Sequence, residues 1–313
     1  MLYMENTPSA LKNSPFRHVI NFIVGGLIGM AELVPGVSGG TVALVTGIYE
    51  RAIRNGDALL HAVRTLISKP SEFSTAIKRV EWIFIASVGA GMITAVLALS
   101  GVMHDFVDNH IQTARALFLG MVAVSLIVPL KMVDKKDFAT KRPAGISLFL
   151  LASLFIFFLT GMTSAEKPNP SLFMVFCAAA IAVCALVLPG ISGSFMLLAM
   201  GLYQPVMGAV ADRDLKVMAV FILGAMTGLA LFIKVLKYLM ESHHTLTMIA
   251  MAGFMLGSLR ALWPWQTSNA ELLPPGDNFL WCLGMFVLGG IIAGAVMVLE
   301  RFTDHEGEIA NHA

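Results

Sequence analysis

Two stretches decide how this chain is read: LVPGVSGGTVALVTGIYE at residues 33–50 and LVLPGISGSFMLLAMGLYQ at residues 186–204. They align without a gap, Pro35 on Pro189, then Gly36/Gly190, Ser38/Ser192, Gly39/Gly193, Gly47/Gly201 and Tyr49/Tyr203. Each occupies the middle of an apolar region, residues 19–50 and 172–211. Proline withholds a backbone donor and stops the helix before it, glycine lets the chain turn, and serine supplies a hydroxyl where the next helix opens. The limbs on either side of each break are short against the ~20 residues needed to cross a ~30 Å hydrocarbon core. The pattern therefore predicts two helix-break-helix hairpins.

The rest of the chain sets their surroundings. Hydrophobic residues make up 57% and charged residues only 13%, where a soluble domain carries about a quarter. With a mean hydropathy of +0.78, no soluble fold could hide so much apolar surface. A net charge of +1 offers no basic surface for nucleic acid. Six further segments are long and apolar enough to span, over residues 82–103, 114–132, 145–163, 217–239, 246–262 and 279–299. The polar first eighteen residues, and the lack of a small-x-small site after the apolar stretch that follows, argue against a cleaved signal peptide. Cys177, Cys184 and Cys282 fall inside apolar runs and read as free thiols.

Basic residues orient the spans, because cytoplasmic loops are enriched in them. With the N-terminus inside, Lys12 and Arg17 lie inside, followed by Arg51, Arg54, Arg64, Lys69, Lys78 and Arg79. Lys131, Lys135, Lys136, Lys141 and Arg142 form the next inner group, then Lys234, Lys237 and Arg301. Only Arg115, Lys167, Arg213, Lys216 and Arg260 fall outside. This bias supports cytoplasmic N- and C-termini. It does not separate re-entrant hairpins from pairs of full spans, since both return the chain to the side it left.

Three full spans, an odd number, separate the two Pro-Gly-x-Ser-Gly turns, so the second hairpin faces the opposite way. The expected fold is an all-α polytopic membrane protein with inverted repeats, six full transmembrane helices and two broken hairpins read as re-entrant, a recurrent plan of secondary transporters. A weaker echo, Gly89-Ala90 with Gly224-Ala225 and Leu119-Gly120 with Leu256-Gly257, extends the repeat. The expected divisions are a tail at 1–18, a first repeat at 19–143, a third full span and outer loop at 144–171, a second repeat at 172–300 and a tail at 301–313. Within the first repeat, Leu59, Leu60, Val63, Leu66 and Ile67 recur at helical spacing beside Arg64 and Lys69. That pattern suits an amphipathic helix in the inner headgroup layer, and equally one packed on its own protein.

Backbone groups in a turn at membrane depth are tolerated only where protein or a water-filled cavity meets them. Successive N–H groups at a helix start suit an anion such as phosphate. The candidate phosphate-binding residues are Ser38, Gly39, Gly40 and Thr41 in the first turn and Ser192, Gly193 and Ser194 in the second, facing one central cavity. Pro35, Gly36, Pro189 and Gly190 shape the turns. The alternative is a pair of helix breaks with serine caps, which the duplication disfavours. Glu32, whose counterpart is Leu186, is the candidate proton-coupling group, since ionisable residues within spans tend to mark ion pathways. Arg115 and Arg260 sit at outer span ends, where they either snorkel to the interface or capture phosphate. His104, Asp105, Asp108 and His110 cluster in an outer loop at spacings that match no metal-ligand pattern, so no metal and no cofactor is expected. The chain has no G-x-S-x-G, H-E-x-x-H or Walker pattern, and neither serine has a histidine partner in sequence. A transporter is expected here, not an enzyme.

The segments GMAELVPGVSGGT from Gly29 and LPGISGSF from Leu188, each followed by G-x-Y, resemble the bacterial PopT family of polyprenyl-phosphate transporters over residues 17–302. The resemblance implies translocation of undecaprenyl phosphate, the lipid carrier of cell-envelope synthesis, back across the bacterial inner membrane. It implies a lipid partner and a membrane location, and it is compatible with a homodimer. Many members carry Asp where this chain has Glu32, so the acid is kept with a reach longer by one methylene. Three rivals remain: a transporter or channel for a small soluble anion, a membrane enzyme acting on lipid phosphate, and a structural membrane scaffold, which the duplicated break disfavours most.

Overall fold

The computed structural model describes residues 15–33, 38–162, 167, 169–267, 269–276 and 278–309. Within these residues the chain is helical throughout, and the one extended pairing is an isolated bridge between Gln266 and Leu272. The helices are α1 (Pro15–Glu32), α2 (Gly39–Val45), α3 (Tyr49–Ser68), α4 (Pro70–Ile77), α5 (Trp82–Asn109), α6 (Ile111–Ser125), α7 (Ile127–Lys131) and α8 (Lys135–Thr140). They continue as α9 (Arg142–Leu159), α10 (Leu172–Val187), α11 (Gly193–Ala199), α12 (Tyr203–Ala211), α13 (Leu215–Ser242), α14 (His244–Ser258), a 3-10 turn at Leu259–Leu262, and α15 (Phe279–Ile309).

Among the described residues six stretches are long and apolar enough to cross a membrane: Trp82–Val102, Ile111–Lys131, Arg142–Leu159, Leu215–Ser242, His244–Leu262 and Phe279–Val298. Their outer faces carry exposed Leu97, Leu151, Phe155, Leu231, Leu280 and Ile291, the inverse of a soluble protein and the pattern lipid requires. The span containing α14 is the most enclosed of the six, 61% buried against 17% for the span of α5, so α14 is the axis of the bundle.

Helix pairing follows a rule that exchanges partners between the two halves. The limb before each break packs on the next long span, α1 on α5 and α10 on α13. The following span packs across, α6 on α15 and α14 on α9. Small residues permit the close approach that drives helix association in lipid, where apolar side chains gain nothing by leaving the bilayer. A Cβ at Gly29 would stand 2.7 Å from the Met92 carbonyl oxygen, and one at Gly253 would stand 2.7 Å from that of Phe149. Matched contacts recur: Gly91 against Phe22 and Gly224 against Phe176, Gly120 against Phe286 and Gly253 against Phe149. Helix lengths match as well, 28 residues in α5 and α13, and 15 in α6 and α14. This register equates Gly91, not Gly89, with Gly224, and Gly120 with Gly253 rather than Gly257. The sequence echo is displaced by two and by four residues because neighbouring small residues align almost as well as those that make contact.

The second limb of the second hairpin is two helices, α11 and α12, where the sequence reading has one; in the first hairpin the limb is α2, and α3 from Tyr49 takes in the start of the segment read as interfacial. Helices α2 and α11 are 7 residues each, about 10 Å at ~1.5 Å per residue. Each ends at a glycine in the left-handed region, Gly47 at φ 68° and Gly201 at φ 70°. The closing bonds repeat: Ile48 N–H to Ala43 O and Gly47 N–H to Leu44 O in one, Leu202 N–H to Leu197 O and Gly201 N–H to Leu198 O in the other. These are the two bonds of a Schellman stop, which needs a residue without Cβ at the turn. After it the axis swings by 114° between α11 and α12.

The outer loop assigned to His104, Asp105 and Asp108 is helix, since α5 runs through Asn109. The side chains of His104 and Asp108 lie outside the described residues. Among the described residues no three His, Cys, Asp or Glu side chains gather as a metal site.

Candidate functional site

The two duplicated turns meet. Ser38 Oγ donates to the Leu188 carbonyl at 3.1 Å, and the Gly190 N–H donates to Thr41 Oγ1 at 2.8 Å. Tyr49, at the start of α3, donates its hydroxyl to the Val187 carbonyl at 3.0 Å. Three bonds thus tie the opening of α2 and the opening of α3 to the end of α10 and its turn. The carbonyls at 187 and 188 are among those a helix end leaves without intrahelical partners, so the first hairpin satisfies what the second exposes. Gly40 makes room for this approach, because a Cβ there would lie 2.8 Å from the Val187 oxygen.

Gly190 holds φ at +87°, and a Cβ on it would stand 2.7 Å from Met255 Cα on α14. The second turn therefore rests on the axial helix. Pro189, Ser38, Thr41 and Ser192 are buried there. Pro35 and Gly36, assigned the matching role in the first turn, lie outside the described residues.

The polar equipment of the two turns differs. In the first, a Glu32 carboxyl oxygen accepts the Gly39 N–H at 2.8 Å, so the side chain at the end of α1 closes the start of α2. The aligned residue Leu186 cannot do this. In the second, the Ser192 and Ser194 hydroxyls lie 2.8 Å apart, and among the described residues nothing accepts from the Gly193 or Ser194 N–H. Glu32, Ser38, Gly39, Gly40 and Thr41 thus sit together at the first turn, and its bonds to Leu188 and Gly190 stand two to six residues from Ser192, Gly193 and Ser194 of the second. Together the two turns supply hydroxyls, amide donors and a carboxyl group, and no described nucleophile-base pair.

The two arginines stand elsewhere. Arg260, in the 3-10 turn after α14, donates to the carbonyls of Phe157 at 3.0 Å and Ala270 at 3.4 Å. Its guanidinium lies 4.7 Å from the centre of the Phe157 ring, in space left by the missing side chain of Gly161. Its Nε is buried without a partner among the described residues. Arg115, in the first turns of α6, is half-buried and has no described hydrogen-bond or salt-bridge partner. The 3-10 turn packs against α6, and Trp265 beyond it covers Ala116 beside Arg115.

Sequence reasoning missed the contacts around α3. Glu50 meets His244 at 3.3 Å and Asp57 meets Lys237 at 2.6 Å, both joining the first half to the second. Arg51 pairs with Glu81 and stacks 4.2 Å from the centre of Phe84. The available signal was the run of charges immediately after a buried turn; partner identity depends on which helices become neighbours.

A family model described as undecaprenyl phosphate translocase-like matches residues 28–277. A polyprenyl-phosphate transporter of Vibrio cholerae is 30% identical over 80% of this chain and 79% of its own length. Another of that description, from Staphylococcus aureus, is 28% identical over 91% of this chain and 96% of its own. No solved structure matches. The matched region begins at Ile28, shortly before Glu32, and takes in both duplicated turns, so that by its sequence the chain belongs to the undecaprenyl phosphate translocase-like family.

Proposed function

We propose that this protein translocates undecaprenyl phosphate across the bacterial cytoplasmic membrane, returning the lipid carrier inward for reuse, and that the joined turns bind its phosphate. The observation that carries this reading is the meeting of two duplicated turns, where the hydroxyls of Ser38 and Thr41 bond the backbone of Leu188 and Gly190 and the paired Ser192 and Ser194 hydroxyls follow. The isoprenoid tail can remain in lipid throughout. The phosphate cannot, because an ion moved unaccompanied into hydrocarbon meets a prohibitive desolvation barrier. Backbone donors and hydroxyls at membrane depth substitute for water along that path.

The matched lengths and exchanged packing support an inverted repeat, and the ~10 Å reach of α11 with the bend after it supports re-entrant hairpins. The basic residues favour both termini in the cytoplasm. Ser192, Gly193 and Ser194 are the leading headgroup contacts because the Gly193 and Ser194 N–H groups have no described acceptor and the paired serine hydroxyls adjoin them, while Ser38, Gly39, Gly40 and Thr41 complete the opposite wall. Arg115 and Arg260 attract the phosphate at the outer entrance. No residue here is assigned a catalytic role.

Moving an anion inward opposes an inside-negative potential by about 2.3 kcal/mol per charge per 100 mV. Glu32 supplies a means of offset. A bare carboxylate there repels the phosphate, so a proton taken from outside removes that repulsion and weakens the bond to the Gly39 N–H, and loss of that proton inside restores both. Depletion of the protein should strand undecaprenyl phosphate on the outer leaflet, read by a surface probe selective for that lipid. An unchanged outer pool would refute the assignment. Suppression of transport by millimolar free phosphate would favour the soluble-anion reading instead.

A further inference from the structure

We propose that the elbow formed by α3 and α4 is a binding surface for anionic lipid headgroups of the membrane in which the protein sits. Helix α3 buries Ile53, Asn55, Ala62 and Thr65, and Ala76 of α4 closes against it. The opposite side is apolar and open: Val63, Leu66 and Ile67, at i, i+3 and i+4, are exposed, Ile67 at 81%. The same elbow carries the exposed cations Arg64 and Lys69, next to the stripe in sequence, and Lys78 and Arg79 after α4, Arg79 lining a cleft with His61, Thr65 and Glu72. Between residues 58 and 80 the single acid is Glu72, paired with Lys69 at 3.3 Å.

Neither water nor hydrocarbon suits such a surface. Three large aliphatic side chains on one stripe favour leaving water, while His61, Arg64 and Ser68 on the same turns forbid entry into the core. The headgroup layer accepts both. An elbow that carries exposed cations together with an apolar stripe is complementary to an anionic lipid surface and mismatched to a zwitterionic one, with about fivefold in binding expected per cation. The elbow is also fixed to the protein, since Tyr49 reaches the Val187 carbonyl and Asp57 holds Lys237. This surface does not depend on which substrate is carried.

The test replaces Cys177, Cys184 and Cys282, installs Ile67→Cys with an environment-sensitive fluorophore, and places the full chain in nanodiscs. Nanodiscs of phosphatidylcholine alone are compared with nanodiscs containing phosphatidylglycerol, each with lipids brominated near the headgroup or near the chain end. The expected result is blue-shifted emission, stronger quenching by the shallow bromines, and deeper quenching with phosphatidylglycerol. The combined Arg64→Gln, Lys69→Gln, Lys78→Gln and Arg79→Gln variant should lose the phosphatidylglycerol dependence. Water-like emission in both nanodiscs, dominance of the deep bromines, or energy transfer between labelled copies in place of quenching would each overturn the proposal. Should cysteine replacement impair folding, native mass spectrometry of the otherwise unaltered protein gives a second reading. Retained phosphatidylglycerol over phosphatidylcholine should exceed that of the four-glutamine variant by tenfold or more, and equal retention would overturn it.

Discussion

Replacing Thr41 by Val keeps the shape of the side chain and removes the acceptor of the Gly190 N–H, a bond of 2.8 Å at a site where Thr41 is 4% exposed. Water cannot replace the lost partner there, so the variant carries the desolvation penalty of an orphaned donor, about 1–3 kcal/mol. The penalty falls on the link between the two turns, because the bond joins the first hairpin to the second. Opening of the second turn should become easier by roughly 5- to 150-fold, the same energy written as a ratio. Hydrogen exchange of the peptide covering residues 186–194, read by mass spectrometry on protein in nanodiscs, measures that ratio directly. Thr41→Ser retains the hydroxyl and should exchange within about threefold of the parent, since a residue lacking the branch methyl still accepts the bond. Unchanged exchange in Thr41→Val, or equal acceleration in both variants, would refute the claim that this bond couples the turns.

Further outcomes follow from the same geometry. Glu32→Gln keeps an acceptor for the Gly39 N–H but removes the titratable charge, so reconstituted transport should lose its dependence on an imposed pH gradient; a preserved dependence removes Glu32 from the mechanism. Gly190→Ala combines a φ of +87° with a Cβ 2.7 Å from backbone of α14, where nothing flexible can yield, and should reduce folded protein severely in detergent size-exclusion chromatography. Gly89→Ala meets nothing within 4 Å in a helix interior and should be neutral or stabilising by up to about 1 kcal/mol in the same assay. At the membrane surface, Asp134 accepts the N–H groups of Asp137 and Lys136, which hold its carboxyl below the usual range. Its contribution to α8 is present above the unfolded carboxylate range and is lost as pH falls through the lowered folded value. Exchange of the Asp137 amide should therefore accelerate only in that acidic window, and Asp134→Ala should abolish the pH dependence.

The spans were legible because lipid imposes one demand on every outward residue, and composition alone satisfies or fails it. The breaks between α1 and α2 and at Pro189 were legible because the same residue pattern interrupts that demand twice. The second interruption at Gly47 and Gly201 stood in the alignment as a matched glycine, and its sign of φ was the missing information. Helix partners were less accessible. Gly89 and Gly91 read alike in sequence, and only the approach of Phe22 to the second distinguishes them. Within the site, Ser38 and Ser192 were found by motif, whereas the bonds from Tyr49 and Thr41 to the other hairpin depend on two halves docking across about 140 to 150 positions of chain. Arg260 shows the limit from the other direction: a charge expected at an interface has two of its donors taken by the carbonyls of Phe157 and Ala270.

Whether the joined turns hold the headgroup is tested most directly by lipid binding to the Ser192→Ala, Ser194→Ala double variant. Native mass spectrometry titrated with undecaprenyl phosphate compares it with the parent protein, with undecaprenol as a headgroup-free control. Loss of two hydroxyl contacts to a charged phosphate, at roughly 1.5–3 kcal/mol each, predicts affinity lower by a hundredfold or more, with undecaprenol retention unchanged. Equal affinity of the two proteins for undecaprenyl phosphate would contradict the placement of its phosphate at these turns.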